Sequence, residues 1–127
     1  AVIANNFVLH NTQWVPAHFH TYNLLGNVFF SLAFASWFAD EIGNKKIAPT
    51  MVKIIFSLLV IGGVGFVLAF YLGGAFSVPR RVDMYNEVVS EGVSLAQMAV
   101  VFATLYLVGM VIYTFDFTKR CAGQLFS

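Results

Sequence analysis

The stretch WVPAHFHTYNLLG, from Trp14 to Gly26, sets His18 and His20 two positions apart at the head of a long run without charges. Neighbours two apart on a helix are separated by about 200° around its axis, so these imidazoles point to nearly opposite faces and cannot clamp one ion. On a strand the same spacing puts both rings on one face, as in a shared zinc site, but a lone three-residue strand cannot cross a bilayer. If both bind metal, each serves its own centre. Metals on opposite imidazoles of one helix lie roughly 15 Å apart, with Phe19 on the helix between them. Imidazole is a common axial ligand of haem iron, and two flat macrocycles held this way nearly meet, a geometry suited to electron transfer. The other reading puts both rings in the membrane interface, hydrogen-bonded to loop carbonyls or water, since they lie in the first turns of the run. On the residues alone both readings stay open. His10, in the preceding loop, reads as a solvated histidine, and Tyr22, Asn23 and Asn27 as polar contacts between packed helices.

The elements that carry these residues follow from composition. Of 127 residues 59% are hydrophobic and 10% charged, with a mean hydropathy of +0.78, which is the balance of a membrane protein rather than of a soluble domain. Residues 21–39, 54–79 and 92–115 contain no Asp, Glu, Lys or Arg. Each is close to the roughly 20 residues a helix needs to cross the hydrocarbon core. The expected fold is an all-α membrane protein with spans near 14–39, 51–78 and 92–116, preceded by an exterior loop over residues 1–13. Trp14 and Trp37 bracket the first span as interfacial aromatics. The link DEIGNKKIAPT is short and polar, so the first two helices should be antiparallel neighbours. Gly65, Ala69 and Gly73 recur every four residues and offer the second helix a flat contact face, and IGGVG at 61–65 reads as helix packing rather than a phosphate loop. The third span shows no comparable pattern. The opening AVIANNFVLHNTQW lacks a secretory signal and reads as the middle of a loop, so the chain is expected to be one piece of a larger protein. A single cysteine, Cys121, excludes an internal disulfide and any cysteine-based zinc or iron–sulfur site built from this chain alone. No basic cluster points to nucleic acid.

Charge orients the bundle. Lys45, Lys46 and Lys53 flank the first link, and Lys119 and Arg120 follow the third span on the same side, which the positive-inside rule assigns to the cytoplasm. The His10 loop and the turn SVPRRVDMYNEVVSEG then face outside. Arg80 and Arg81 break the rule there and call for anionic partners, either Asp83, Glu87 and Glu91 nearby or an external carboxylate or phosphate.

The run HNTQWVPAHFHTYNLLG from His10, taken with SVPRR at 77–81, resembles the last third of the catalytic subunit of haem-copper terminal oxidases. The resemblance covers essentially the whole chain, as that subunit's tenth to twelfth helices and the loop before them, so the three spans become part of a larger twelve-helix-type bundle. Its motif has a histidine eight positions before an HxH pair and an arginine pair 60 positions after the second histidine, spacings met by His10, His18, His20 and Arg80. The resemblance implies that His18 is the axial ligand of a high-spin haem facing copper, that His20 is one axial ligand of a low-spin haem, and that Arg80 and Arg81 pair with haem propionates. It implies dioxygen reduction at the open position of the high-spin iron, coupled to proton translocation. Many members follow the loop histidine with an aspartate of a magnesium or manganese site. Here it is Asn11, whose neutral amide weakens such a site, and His10 is expected to contact a propionate instead. The HNT and WVP forms are closer to the B-type branch, hence a prokaryotic cell membrane. The copper-binding histidines, their linked tyrosine and the second low-spin ligand lie on earlier helices absent from these residues. The resemblance therefore implies a partner chain carrying those helices, a second oxidase subunit, and a cytochrome c, small copper protein or quinol as electron donor. The rivals are nitric oxide reductase of the same superfamily and a haem-free accessory membrane subunit.

Overall fold

The computed structural model describes residues 8–42, 46–79 and 90–125, which are helical apart from short turns and links. We label the helices α1 (Trp14–His20), α2 (Val28–Ile42), α3 (Pro49–Ala75) and α4 (Ser90–Leu125), with a π-helical stretch (Thr21–Asn27) joining α1 to α2. Two of these are long and apolar enough to cross a membrane, α3 and the part of α4 from Gly92 to Ala122. The first expected span is instead divided into pieces of 7, 7 and 15 residues. Its backbone stays right-handed helical through both joints, at Thr21 (φ −57°, ψ −49°) and Val28 (φ −65°, ψ −46°), so the three pieces form one rod. Asp40 and Glu41, expected to end this rod, lie within it.

Local sequence sets the ends of α3. Proline has the backbone torsion of a first helical residue, and it holds the residue before it extended. Pro49 accordingly opens α3 after an extended Ala48. At the other end the Ser77 N–H donates to the Gly74 carbonyl (3.0 Å) and the Val78 N–H to the Gly73 carbonyl (2.8 Å). That crossed pair is a Schellman closure. It needs a left-handed residue, a place usually taken by glycine, and Ser77 fills it at φ 57°.

The three long elements run up, down and up. Gly109 meets Leu58 and Leu59, while Gly62 meets Phe102 and Tyr106, so α3 and α4 are antiparallel. A Cβ at Gly62 would lie 2.6 Å from the Tyr106 amide nitrogen and 2.8 Å from the Phe102 carbonyl, which means that backbone packs on backbone there. Of the face expected from the four-residue repeat, Gly65 abuts the Phe102 ring but Gly73 abuts the Gln13 side chain instead. The rod runs parallel to α4 and is fastened to it by polar groups. Tyr106 donates its hydroxyl to the Leu24 carbonyl and Tyr113 to the Leu32 carbonyl, both at 3.0 Å. Arg120 pairs with Asp40 across the two helices and with Asp116 on its own, both at 2.8 Å. Ile55, Leu59, Tyr106 and Tyr113 form the buried centre, with Leu24, Val28, Phe29 and Leu32 packed on it. The outside is apolar too, with Phe30 81% and Val100 65% exposed. A surface of that kind faces lipid or other protein rather than water.

Candidate functional site

The turn before α1 is tied to the end of α3. Thr12 forms an antiparallel bridge with Pro79, and the Gln13 N–H donates to the Val78 carbonyl at 3.0 Å. Gln13 is buried, with its side chain over Gly73, and a Cβ on Gly74 would lie 2.5 Å from the Trp14 nitrogen. Two neighbouring glycines thus let the start of α1 approach the α3 backbone. Trp14 packs edge-on to Tyr71, ring centroids 4.6 Å apart. Pro16 falls in the first turn of α1, where the backbone N–H it lacks has no helical partner. The two motifs read from the sequence, HNTQW and SVP, therefore meet in space. Arg80 and Arg81, Asp83, Glu87 and residues 1–7 lie outside the described residues.

His18 and His20 leave α1 on different sides. His20 is half-buried, its ring 5.2 Å from Phe66 at 80° and 6.0 Å from Phe70, both on α3. His18 is exposed, its ring 4.9 Å from Tyr22 at 87°. Phe19 is 61% exposed and lies 5.5 Å from the His20 ring. Among the described residues neither imidazole makes a hydrogen bond. Imidazole nitrogens with no protein partner, at the edge of aromatic surfaces, fit axial ligation of a flat macrocycle. Among the same residues no three His, Cys, Asp or Glu side chains come together to hold a metal ion. His10 and Asn11 are both exposed in the preceding turn.

Side chains secure the backbone around the pair. Thr21 donates its hydroxyl to the Ala17 carbonyl (2.9 Å), and with that proton committed it accepts from the Tyr71 hydroxyl at 3.2 Å. Asn23 donates to the Phe19 carbonyl at 3.0 Å and Asn27 to the Asn23 side chain at 3.3 Å. These asparagines bond along their own rod, not between helices as their residue types had led us to expect. In the π stretch the Val28 N–H reaches back five residues to Asn23, which shifts the carbonyl register. The Tyr106 hydroxyl serves the Leu24 carbonyl there. Sequence reasoning did not single out Phe66, Phe70, Tyr71 or Gln13. The spacing of Phe66 and Phe70, four apart on one helical face, was the available signal.

Comparison with known proteins shows the family of the chain. Residues 1–112 match the family described as cytochrome c and quinol oxidase polypeptide I. The chain is also 30% identical over 115 residues to cytochrome c oxidase subunit 1 of Bacillus subtilis (strain 168), an alignment that covers 88% of this chain and 18% of that protein. The chain thus spans less than a fifth of that relative's length. No solved structure matches it. Because the family match runs through the tied turn, both histidines and most of α4, the chain belongs to the cytochrome c and quinol oxidase polypeptide I family.

Proposed function

We propose that this chain is the histidine-bearing end of the catalytic subunit of a terminal respiratory oxidase, an enzyme that reduces dioxygen to water and couples this to proton translocation. The observation that carries the reading is the divergence of two unbonded imidazoles from one short helix, His20 onto the Phe66 and Phe70 rings of α3 and His18 onto the open side beside Tyr22. His20 would hold a low-spin haem through its imidazole and His18 a high-spin haem. When bound, the haems supply the one-electron chemistry that brings reducing equivalents to dioxygen.

The chain's own residues bind and orient. Each imidazole offers one ring nitrogen to iron and, lacking a proton relay of its own, acts as a ligand rather than as an acid or base. Phe66 sets its ring edge-to-face with His20 and limits how far that imidazole turns. Phe19 fills the space between the two ligand positions. The Thr12–Pro79 bridge brings the residue before Arg80 to the end of the rod that bears the histidines, where Arg80 and Arg81 pair with propionates and His10 adds a contact. The Asn11 amide is a poor magnesium ligand at that edge. The rod of α1, the π stretch and α2 makes a third crossing beside α3 and α4. Its lysine-bearing end is cytoplasmic and the His10 end exterior, in a prokaryotic membrane and in the B-type branch. Copper, its ligands and the second low-spin ligand belong to a chain carrying the earlier helices, and a second subunit receives electrons from a cytochrome, a copper protein or a quinol.

The test is a reduced-minus-oxidised spectrum of the purified complete complex, with and without carbon monoxide. His20→Ala is expected to abolish the low-spin signal, and His18→Ala the signal that shifts with carbon monoxide. Retention of both signals in both variants refutes the assignment. Iron in place of copper at the second metal would make the protein a nitric oxide reductase.

A further inference from the structure

At the end of the bundle away from the histidines, α2, α3 and α4 enclose a cavity of about 290 Å³, with Phe29, Ala33, Ile55, Phe56 and Tyr113 among its walls. Its lining is almost wholly carbon. The two hydroxyls that reach it are already engaged, since Tyr113 donates to the Leu32 carbonyl at 3.0 Å and Ser36 donates to Tyr113 at 3.2 Å. A cavity without free polar partners does not hold ordered water and takes apolar matter instead. It opens outward, because Val52 and Phe56 on its α3 wall are 43% and 58% exposed.

Two exposed cations adjoin the lining residues in sequence. Lys46 precedes the lining residue Ile47, Lys53 follows the lining residue Val52, and both lysines are exposed. Among the described residues neither has an acidic partner, because the ion pairs of this end are those of Arg120 with Asp40 and Asp116. That leaves the exposed Glu41 as the one free carboxylate there, among the described residues, against Lys46, Lys53 and Lys119. An apolar slot with a cationic rim is complementary to a molecule with an acyl chain and an anionic head.

We propose that this cavity binds one acyl chain of an anionic phospholipid whose phosphate is held by Lys46 and Lys53. The site rests on the membrane location of the chain and not on haem ligation. Lysine stems lie along apolar wall while their ammonium groups stay at headgroup level, and attraction of this kind weakens as salt rises.

The experiment uses the complete complex, stripped of lipid in detergent and incubated with phosphatidylglycerol or with phosphatidylcholine of the same chains, bound lipid being counted by native mass spectrometry. The wild type is expected to retain phosphatidylglycerol roughly thirty-fold better, the contribution of two lysines near a phosphate. Lys46→Gln with Lys53→Gln should remove that preference while keeping the phosphatidylcholine level. Ala33→Phe, which fills the cavity, should remove one bound lipid of either kind. An unchanged size-exclusion profile and thermal midpoint show that each variant is folded, and neither they nor the lipid count depends on the haem reading. A wild type that retains neither lipid, as when a side chain of another subunit fills the slot, overturns the proposal. So does a preference that survives in the lysine variant or lipid that stays in Ala33→Phe.

Discussion

The contact of α3 with α4 and the contact of the rod with α4 are made by opposite means. The first is set by missing side-chain volume, with Gly62 against the backbone of Phe102 and Tyr106, and Gly109 against Leu58 and Leu59. The second is set by polar fasteners, in which Tyr106, Tyr113 and Arg120 reach Leu24, Leu32 and Asp40. A cavity remains beside the fasteners. In lipid, helices gain nothing from burying apolar surface against one another, so close packing and hydrogen bonds are the two available sources of adhesion. This chain uses one on each side of α4. At Gly62 the packed contact has no room for an added atom without a backbone shift, while the fastened one should lose strength in separable steps.

Breaking the packed contact has the largest expected effect. Gly62→Ala puts a carbon 2.6 Å from the Tyr106 nitrogen, which costs about 1–3 kcal/mol of overpacking. Gly62→Leu should prevent recovery of intact complex, checked by size-exclusion chromatography after membrane solubilisation. Next comes Arg120→Met. The arginine side chain is 5% exposed and those of Asp40 and Asp116 are 33% and 23% exposed. Removing a buried partner costs about 3 kcal/mol, at the low end of the usual range because the carboxylates keep some water. Adding Asp40→Asn should recover part of the loss, and thermal unfolding of the four-member mutant cycle measures it. Smallest is Tyr106→Phe, which removes one hydroxyl from the Leu24 carbonyl and costs about 1 kcal/mol. Tyr113→Phe should add to it independently, since seven residues of helix separate the two fasteners by about 10 Å. Strong non-additivity in thermal midpoints would mean that the fastened contact yields as a unit, like the packed one.

The helical character, the apolar spans of α3 and α4 and the family were legible in the sequence because each depends on local composition or on fixed spacing. The opposed placement of His18 and His20 followed from helical geometry alone. The small-residue face of α3 was read with only part of its meaning. Gly65 and Gly73 share that face but meet different side chains, and Gly62, which meets backbone, is one position off the repeat. The third span looked patternless although Tyr106, Tyr113 and Arg120 recur every seven residues, two helical turns apart on one side. The signal was present, but tyrosine in an apolar run reads as bulk until its hydroxyl is seen on a carbonyl. Arg120 had been counted only toward the orientation of the bundle, a reading that carries no information about its neighbour. The π stretch offered no local signal, and the hydroxyls that contact it come from 50 to 82 residues away, in Tyr71 and Tyr106.

The hydrogen bond from Gln13 to Val78 has a consequence for biosynthesis. A chain is made from its N-terminus, so α1 is synthesised while the carbonyl that will receive the Gln13 amide is not yet translated. Only when α3 has been made and its last turn has closed at Ser77 does the leading turn of α1 acquire its fixed position. The histidine-bearing segment is thus the earliest of the three elements to be made and the last to be finished, and the timing of its maturation is set by α3 rather than by α1 itself.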